Sequence, residues 1–138
     1  MYGMKGRDEE LCRKCTRPSC AFPEICPNLD TSHAQLLELY RSASSIPGVN
    51  RLTIGSGIRY DLIPANDREY LRELVTEHVS GRLKVAPEHT SDRILKLMRK
   101  PGFGLYRKFE RKYHKICDEF GLRQQLIPYF ISSHPGCG

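Results

Sequence analysis

The 138-residue sequence has no long hydrophobic run and no N-terminal export signal. No stretch of about 18 apolar residues occurs, so the sequence predicts no membrane-spanning helix. The opening residues, MYGMKGRDEE, are charged and lack the apolar segment of a secretory signal peptide. We therefore expect a cytoplasmic protein, in a reducing compartment where clustered cysteines bind metals more often than they form disulfides.

Apolar residues are also few. Their share is 39%, below that of an average globular domain, which indicates either a small core or an apolar surface that packs against something outside this chain. The net charge of +6 suits an anionic partner such as RNA, a nucleotide or a phosphate. No block of five like charges occurs, however, and an ordinary basic surface is the simpler explanation.

Four of the six cysteines lie close together near the N-terminus, in a C-x2-C-x4-C-x5-C pattern formed by Cys12, Cys15, Cys20 and Cys26. Residues 1–30 show little periodicity, so we expect a Cys-rich loop that a metal organises better than a core could. Four thiolates suit tetrahedral zinc or a [4Fe–4S] cluster. Pro27 directly after Cys26 favours the cluster slightly, since proline often follows the last cysteine of ferredoxin-type runs. Reduced structural cysteines and disulfides are the less favoured alternatives.

Residues 31–138 alternate between helical and strand-like patterns. Helices are expected at TSHAQLLELYRSAS, NDREYLRELVTEHV, SDRILKLMRK and GLYRKFERKYHKICDEFG, and Asn66 with Glu69 predicts an N-terminal cap on the second of them. Strands are expected at RLTI, in GRLKVAPEHT until Pro87 ends it, and in QLIPYFISSHPG. This order predicts an α/β fold with parallel strands joined by crossover helices. Three strands cannot close a barrel, so we expect part of an incomplete (β/α) barrel; a complete small α/β sandwich is the alternative.

Polar side chains follow each of the three predicted strands. Their positions are Ser56, Arg59 and Asp61 in the first case, Glu88, His89 and Thr90 in the second, and Ser132, Ser133, His134 and Cys137 in the third. Ligands of parallel α/β folds bind beyond the carboxyl ends of the strands. The sequence therefore predicts one shared polar site at that edge, and its glycine-rich loops match neither a dinucleotide fingerprint nor a P-loop.

Four blocks in this order, CTRPSCAFPEICPNL, SGIRYDL, LKVAPEHT and YFISSHPG, resemble the YgiQ-like branch of the radical S-adenosylmethionine (SAM) superfamily. The stretch SDRIL is similar to the V-Q-S-G-S-D-R-[VI]-L pattern after the fourth barrel strand of the methylthiotransferases. FISSHPG is similar to their fifth-strand F-I-V-G-F-P-G, with Ser133 at the glycine position.

The resemblance implies a radical SAM-type barrel fragment containing strands three to five. It would place Glu88 and His89 near the methionine part or ribose of SAM. Ser132, Ser133 and His134 would border the adenine, and Ser56 and Arg59 would face the substrate or the SAM carboxylate. The implied cofactors are a [4Fe–4S] cluster and SAM, with RNA as a possible substrate.

The sequence contains no C-x3-C-x2-C triplet, the motif on which radical SAM enzymes hold the cluster that cleaves SAM. The resemblance therefore implies a fragment of such an enzyme that is inactive alone. The alternative interpretation is a small zinc-binding module that binds nucleic acid. Its phosphate contacts would be Arg99, Lys100, Arg107, Lys108, Arg111 and Lys115.

Overall fold

The computed structural model describes residues 3–64 and 67–136. Five helices and two strands follow one another as α1 (Glu9–Arg13), α2 (Ala34–Ser44), α3 (Arg68–Glu77), β1 (Arg82–Glu88), α4 (Asp92–Leu97), α5 (Phe103–Glu119) and β2 (Gln125–Phe130), with a single 3-10 turn at Tyr60–Leu62 before α3. No helix in these ranges is long and apolar enough to cross a membrane.

The two strands form a parallel pair, with α4 and α5 in the connection between them. Arg82 aligns with Gln125, and Val85 aligns with Pro128. The predicted α/β arrangement of parallel strands joined by helices is therefore present. The prediction that Pro87 ends β1 is wrong, because the strand includes Pro87 and the register shifts between Val85 and Glu88. Such an irregularity is where a strand tolerates a residue without an N–H.

The predicted first strand, RLTI, does not form. Its neighbourhood instead contributes one isolated parallel bridge to β1, between Ile58 and Val85, in which Ile58 N donates to Lys84 O at 3.1 Å. Gly55 and Gly57 flank Ser56 just before this bridge, and glycines weaken a strand because they cost entropy and offer no side chain for packing. The sheet thus has two strands, with a third segment attached to the free side of β1.

Most of the buried side chains come from α3, α5 and β1. The helix expected at NDREYLRELVTEHV forms as α3, and its apolar side chains Tyr70, Leu71, Leu74 and Val75 are all buried. The cap of α3 is Asp67, whose carboxylate accepts from Tyr70 N at 3.1 Å, whereas the predicted cap Asn66 lies outside the described residues. Because α5 contributes buried Tyr106, Phe109, Tyr113 and Cys117 at helical spacing, it packs against α3 beside the sheet.

The N-terminal segment contributes nothing to this core. No side chain in residues 3–30 is buried, and α1 is a single short helix capped by Asp8. Within the described residues, burial therefore begins only after residue 30.

Candidate functional site

The ends of the parallel segments lie at one edge of the sheet. The bridge of Ile58 to Val85 places the first segment beside β1, and Glu88 at the end of β1 aligns with Phe130 at the end of β2. Ile131 N donates to Glu88 O at 2.7 Å, which fixes the start of the loop after β2 against the end of β1. Residues that follow these three points therefore share one edge.

Ser56 is the predicted site residue that the structure places elsewhere. It precedes the Ile58–Val85 bridge by two residues, and in a parallel arrangement that position lies alongside Leu83, near the start of β1. Its side chain is exposed. Arg59, by contrast, follows the bridge and stands at the shared edge.

Arg59 forms a two-point ion pair with Asp61, with N–O distances of 2.7 and 2.6 Å. This hydrogen bonding raises the pKa of Arg59. Burial, followed by the charges of Asp61 and Glu88, raises the pKa of the neighbouring Tyr60 to about 12. The charge of Glu88, at the end of β1, therefore acts on the segment that contains Tyr60.

Glu88 combines a strained backbone with an unpredicted partner. Its φ of +68° lies in the left-handed region that residues other than glycine rarely adopt. Its carboxylate lies 3.0 Å from Lys100 Nζ, and both side chains are mostly buried. In the nucleic-acid alternative Lys100 is expected to bind phosphate. No pattern in the sequence indicates its contact with Glu88.

His89 is held by main-chain groups at the start of α4. Its N–H donates to Pro87 O at 2.8 Å, and its Nδ1 accepts from Ser91 N at 2.9 Å. An accepting Nδ1 means that the neutral ring carries its proton on Nε2. Main-chain groups at the start of α4 therefore fix the orientation of the His89 ring.

The loop after β2 folds back over α4. Arg93 Nη2 donates to Gly136 O at 2.5 Å, and a Cβ on Gly136 would meet Leu97 Cδ1 at 3.0 Å. Ser133 has a φ of +58°, and Ser132 and Ser133 are exposed. Among the described residues no hydrogen-bond partner reaches the buried Nδ1 of His134. Cys137 lies outside the described residues.

The four clustered cysteines are free thiols in the Cys-rich loop, and Cys26 is the least exposed of them. Two receive N–H donors, since Asn28 Nδ2 lies 3.2 Å from Cys12 Sγ and Arg17 N lies 3.4 Å from Cys15 Sγ. Within residues 3–64 and 67–136, no group of three or more Cys, His, Asp or Glu side chains is gathered as a metal shell. The donor set suits a thiophilic metal, but the side chains have not converged on one point.

The basic residues of the nucleic-acid alternative divide into two groups. Lys100 pairs with Glu88, and Arg107 pairs with Glu110 at 3.2 Å, so both are engaged within the chain. Lys108, Arg111 and Lys115 line a groove of about 1110 Å³ between α3 and α5, whereas Arg99 belongs to neither group. The cationic lining residues of the groove are Arg68, Arg72, Lys108, Arg111, Lys112 and Lys115.

No family model and no solved structure match the chain. Over 99% of its length it is 56% identical to a UPF0313 protein of Bacteroides thetaiotaomicron, of which it covers 24%. It is 50% identical to a UPF0313 protein of Porphyromonas gingivalis, of which it covers 23%, and 52% identical to one of Pseudomonas syringae pv. tomato, of which it covers 18%. Its homologues are thus UPF0313 proteins, and the chain spans less than a quarter of their length.

Proposed function

We propose that the chain supplies part of the SAM and substrate rim of a radical SAM iron–sulfur enzyme, as strands three to five of a (β/α) barrel. One observation carries the proposal: the residues after Ile58, β1 and β2 share a single edge of parallel segments. In barrels of this class, ligands bind at the carboxyl edge of the strands. The similarity to segments of much longer proteins supports the idea that the chain acts as part of a larger enzyme.

The edge offers suitable groups for SAM. The carboxylate of Glu88, which also contacts Lys100, can accept from ribose hydroxyls or the methionine ammonium. The buried Nδ1 of His134 has an unmet hydrogen-bonding requirement that an adenine edge would fulfil. Arg59 is a weaker candidate for the SAM carboxylate because Asp61 already occupies its guanidinium.

The cluster that cleaves SAM has no ligand set in this sequence. When bound, such a cluster delivers the electron for reductive cleavage, and it requires the C-x3-C-x2-C triplet, which is absent. The spacing of Cys12, Cys15 and Cys20 does not reproduce it. This chain by itself is therefore expected to hold SAM weakly and to leave it intact.

Amide resonances of the ¹⁵N-labelled chain during titration with SAM test the proposal. We expect shifts in residues 57–61, 87–91 and 130–136, and a weaker response in Glu88→Gln. Glu77→Gln is the matched control, because Glu77 is an exposed carboxylate at the end of α3. Shifts confined to α3 and α5, or equal responses in both variants, would contradict the proposal.

RNA is a second candidate partner, favoured by the cations of the α3–α5 groove. Here we expect binding to single-stranded RNA that weakens steeply with salt, because neutralised phosphates release counterions. Arg72→Ala should weaken binding and reduce the salt slope, whereas Lys96→Ala, on α4 and outside the groove, should not. Equal losses in the two variants would indicate a diffuse charge effect and argue against a groove interface.

A further inference from the structure

The Cys-rich loop is closed at its base by main-chain pairing. Gly6 and Leu29 form an antiparallel bridge, and Arg7 N donates to Asn28 O at 2.8 Å. All four clustered cysteines lie between these two strand-like segments. A loop closed in this way can hold ligands near one another although it adds no buried side chain to the core.

Main-chain hydrogen bonds arrange the four cysteines in two pairs. Cys15 N donates to Cys12 O at 3.2 Å, and Cys26 N donates to Cys20 O at 2.8 Å. Paired cysteines at the two ends of a short loop are a common way to supply four thiolates to one metal. None of the four is oxidised to a disulfide in the structure.

Asn28 links the two pairs. It follows Cys26 by two residues, and its Nδ2 donates to Cys12 Sγ at 3.2 Å and to Asp8 O at 2.8 Å. Its Oδ1 accepts from Asp8 N at 2.9 Å. N–H donors of this kind orient metal ligands.

Gly6 makes room for this arrangement. A Cβ at Gly6 would lie 2.3 Å from Cys12 Sγ, so any larger residue would displace the sulfur. The main chain thus passes directly beside one of the four thiols, which only glycine permits.

From these contacts we propose that Cys12, Cys15, Cys20 and Cys26 form a four-thiolate metal centre, and that Asn28 is its positioning residue. The centre is separate from the sheet edge and does not depend on the function proposed there. Metal entry requires the side chains to rotate onto one point and the thiols to release their protons to solvent. The shared chemistry is a thiophilic metal held by four sulfurs, either zinc or a [4Fe–4S] cluster.

Metal analysis of the full 138-residue chain, purified without oxygen, tests the centre and identifies the metal. We expect about one zinc, or about four iron with matching acid-labile sulfide, per chain. Cys12→Ser and Cys26→Ser should each lose most of the bound metal. Cys117→Ser, at a buried position of α5, should retain the metal. In metal-free protein, Co²⁺ should produce sulfur-to-cobalt charge-transfer absorption. No metal together with no such absorption, or undiminished metal in the two loop variants, would overturn the proposal.

The role of Asn28 is tested by Asn28→Asp, which keeps the shape but removes the N–H donor. We expect Co²⁺ affinity to fall about 10-fold or more, and the charge-transfer band to move. Asp8→Ala is the control, because it removes the acceptor of the α1 cap and leaves Asn28 and Cys12 unchanged. A purely structural role would weaken both variants without moving the band, and that result would overturn the assignment of Asn28.

Discussion

Glu88 and Lys100 form an ion pair of 3.0 Å at the edge of the sheet where β1 ends, although they are twelve positions apart in the chain. Glu88 ends β1 in a left-handed conformation, and Lys100 stands in the connection between α4 and α5. The pair therefore ties that connection to the edge of the sheet. It also removes Lys100 from the set of free surface cations that the nucleic-acid alternative requires.

Lys100→Met should lower the free energy of unfolding by about 0.5–1 kcal/mol, the size expected for a partly exposed ion pair that solvent screens. Glu88→Gln should have a similar effect, and the double variant should cost less than the sum of the two. Urea unfolding of the four proteins gives the coupling energy. Strictly additive effects would mean that the two charges do not interact in solution.

Ser133→Gly should stabilise the protein by about 1 kcal/mol, because a left-handed conformation costs a residue with a Cβ roughly that amount. Ser133 has a φ of +58°, whereas Ser132 does not adopt a positive φ. Ser132→Gly should therefore be neutral or slightly destabilising. Thermal unfolding of the two variants provides the comparison, and equal effects would contradict the assigned backbone conformation.

The backbone of Ser133 also explains one departure from the sequence pattern. The methylthiotransferase motif F-I-V-G-F-P-G has glycine at this position, and the structure keeps the left-handed φ with serine in its place. Glycine adopts this conformation without the steric cost that a Cβ brings.

Periodicity predicted α2 to α5, and two of the three expected strands form, because burial follows local spacing. It did not predict the short α1, which buries no side chain and lies in the region expected to be a loop. The stripe of Tyr70, Leu71, Leu74 and Val75 is visible in the sequence and buried in the structure. RLTI failed as a strand because its apolar alternation is short and Gly55 and Gly57 follow it. A strand of that kind depends on neighbours that a local pattern cannot reveal.

The candidate edge was predictable in outline, since parallel strands bring their ends together. Its ion pairs were not. Lys100 contacts Glu88 directly after Arg99, which has a φ of +54° and turns the chain there. Asn28 contacts Cys12 across sixteen residues. Contacts of this kind depend on loop conformations, which no periodic signal specifies.

Leu74→Ala should lower the free energy of unfolding by about 2–5 kcal/mol, since it empties a fully buried site in the contact of α3 with the core. Leu39→Ala is the matched control, because Leu39 is 42% exposed on α2. Chemical denaturation should show at most a small change for the control. A small effect of Leu74→Ala would mean that α3 is not packed as described.

Stability should fall as the pH decreases through 6.5, and His33 should account for part of this loss. Burial lowers the pKa of His33 below 6.5, and the nearby charge of Asp67 opposes this only partly. The unfolded chain therefore binds the proton more readily, so the contribution of the neutral ring is complete above pH 6.5 and declines below it.

Unfolding free energies at pH 7.5 and 5.5 measure this dependence. His33→Gln should reduce the difference between the two pH values, although loss of the ring stacked on Tyr70 at 3.9 Å should lower stability at both. His114→Gln, an exposed histidine on α5, should leave the difference unchanged. An unchanged difference in His33→Gln would show that protonation of His33 does not oppose folding.

The end of β2 should cause the isolated chain to self-associate at high concentration. Tyr129, Phe130 and Ile131 are each about half exposed, and within the described residues β2 pairs only with β1. An apolar strand with an open edge is a template for association.

Because Tyr129 and Ile131 alternate onto the same face, replacing both with Lys should shift sedimentation velocity profiles toward the monomer. Leu11 is an apolar residue of α1 that is at least as exposed, and Leu11→Lys should leave the sedimentation profile unchanged. A wild-type chain that remains monomeric at these concentrations would show that the open edge is already protected by its own loops.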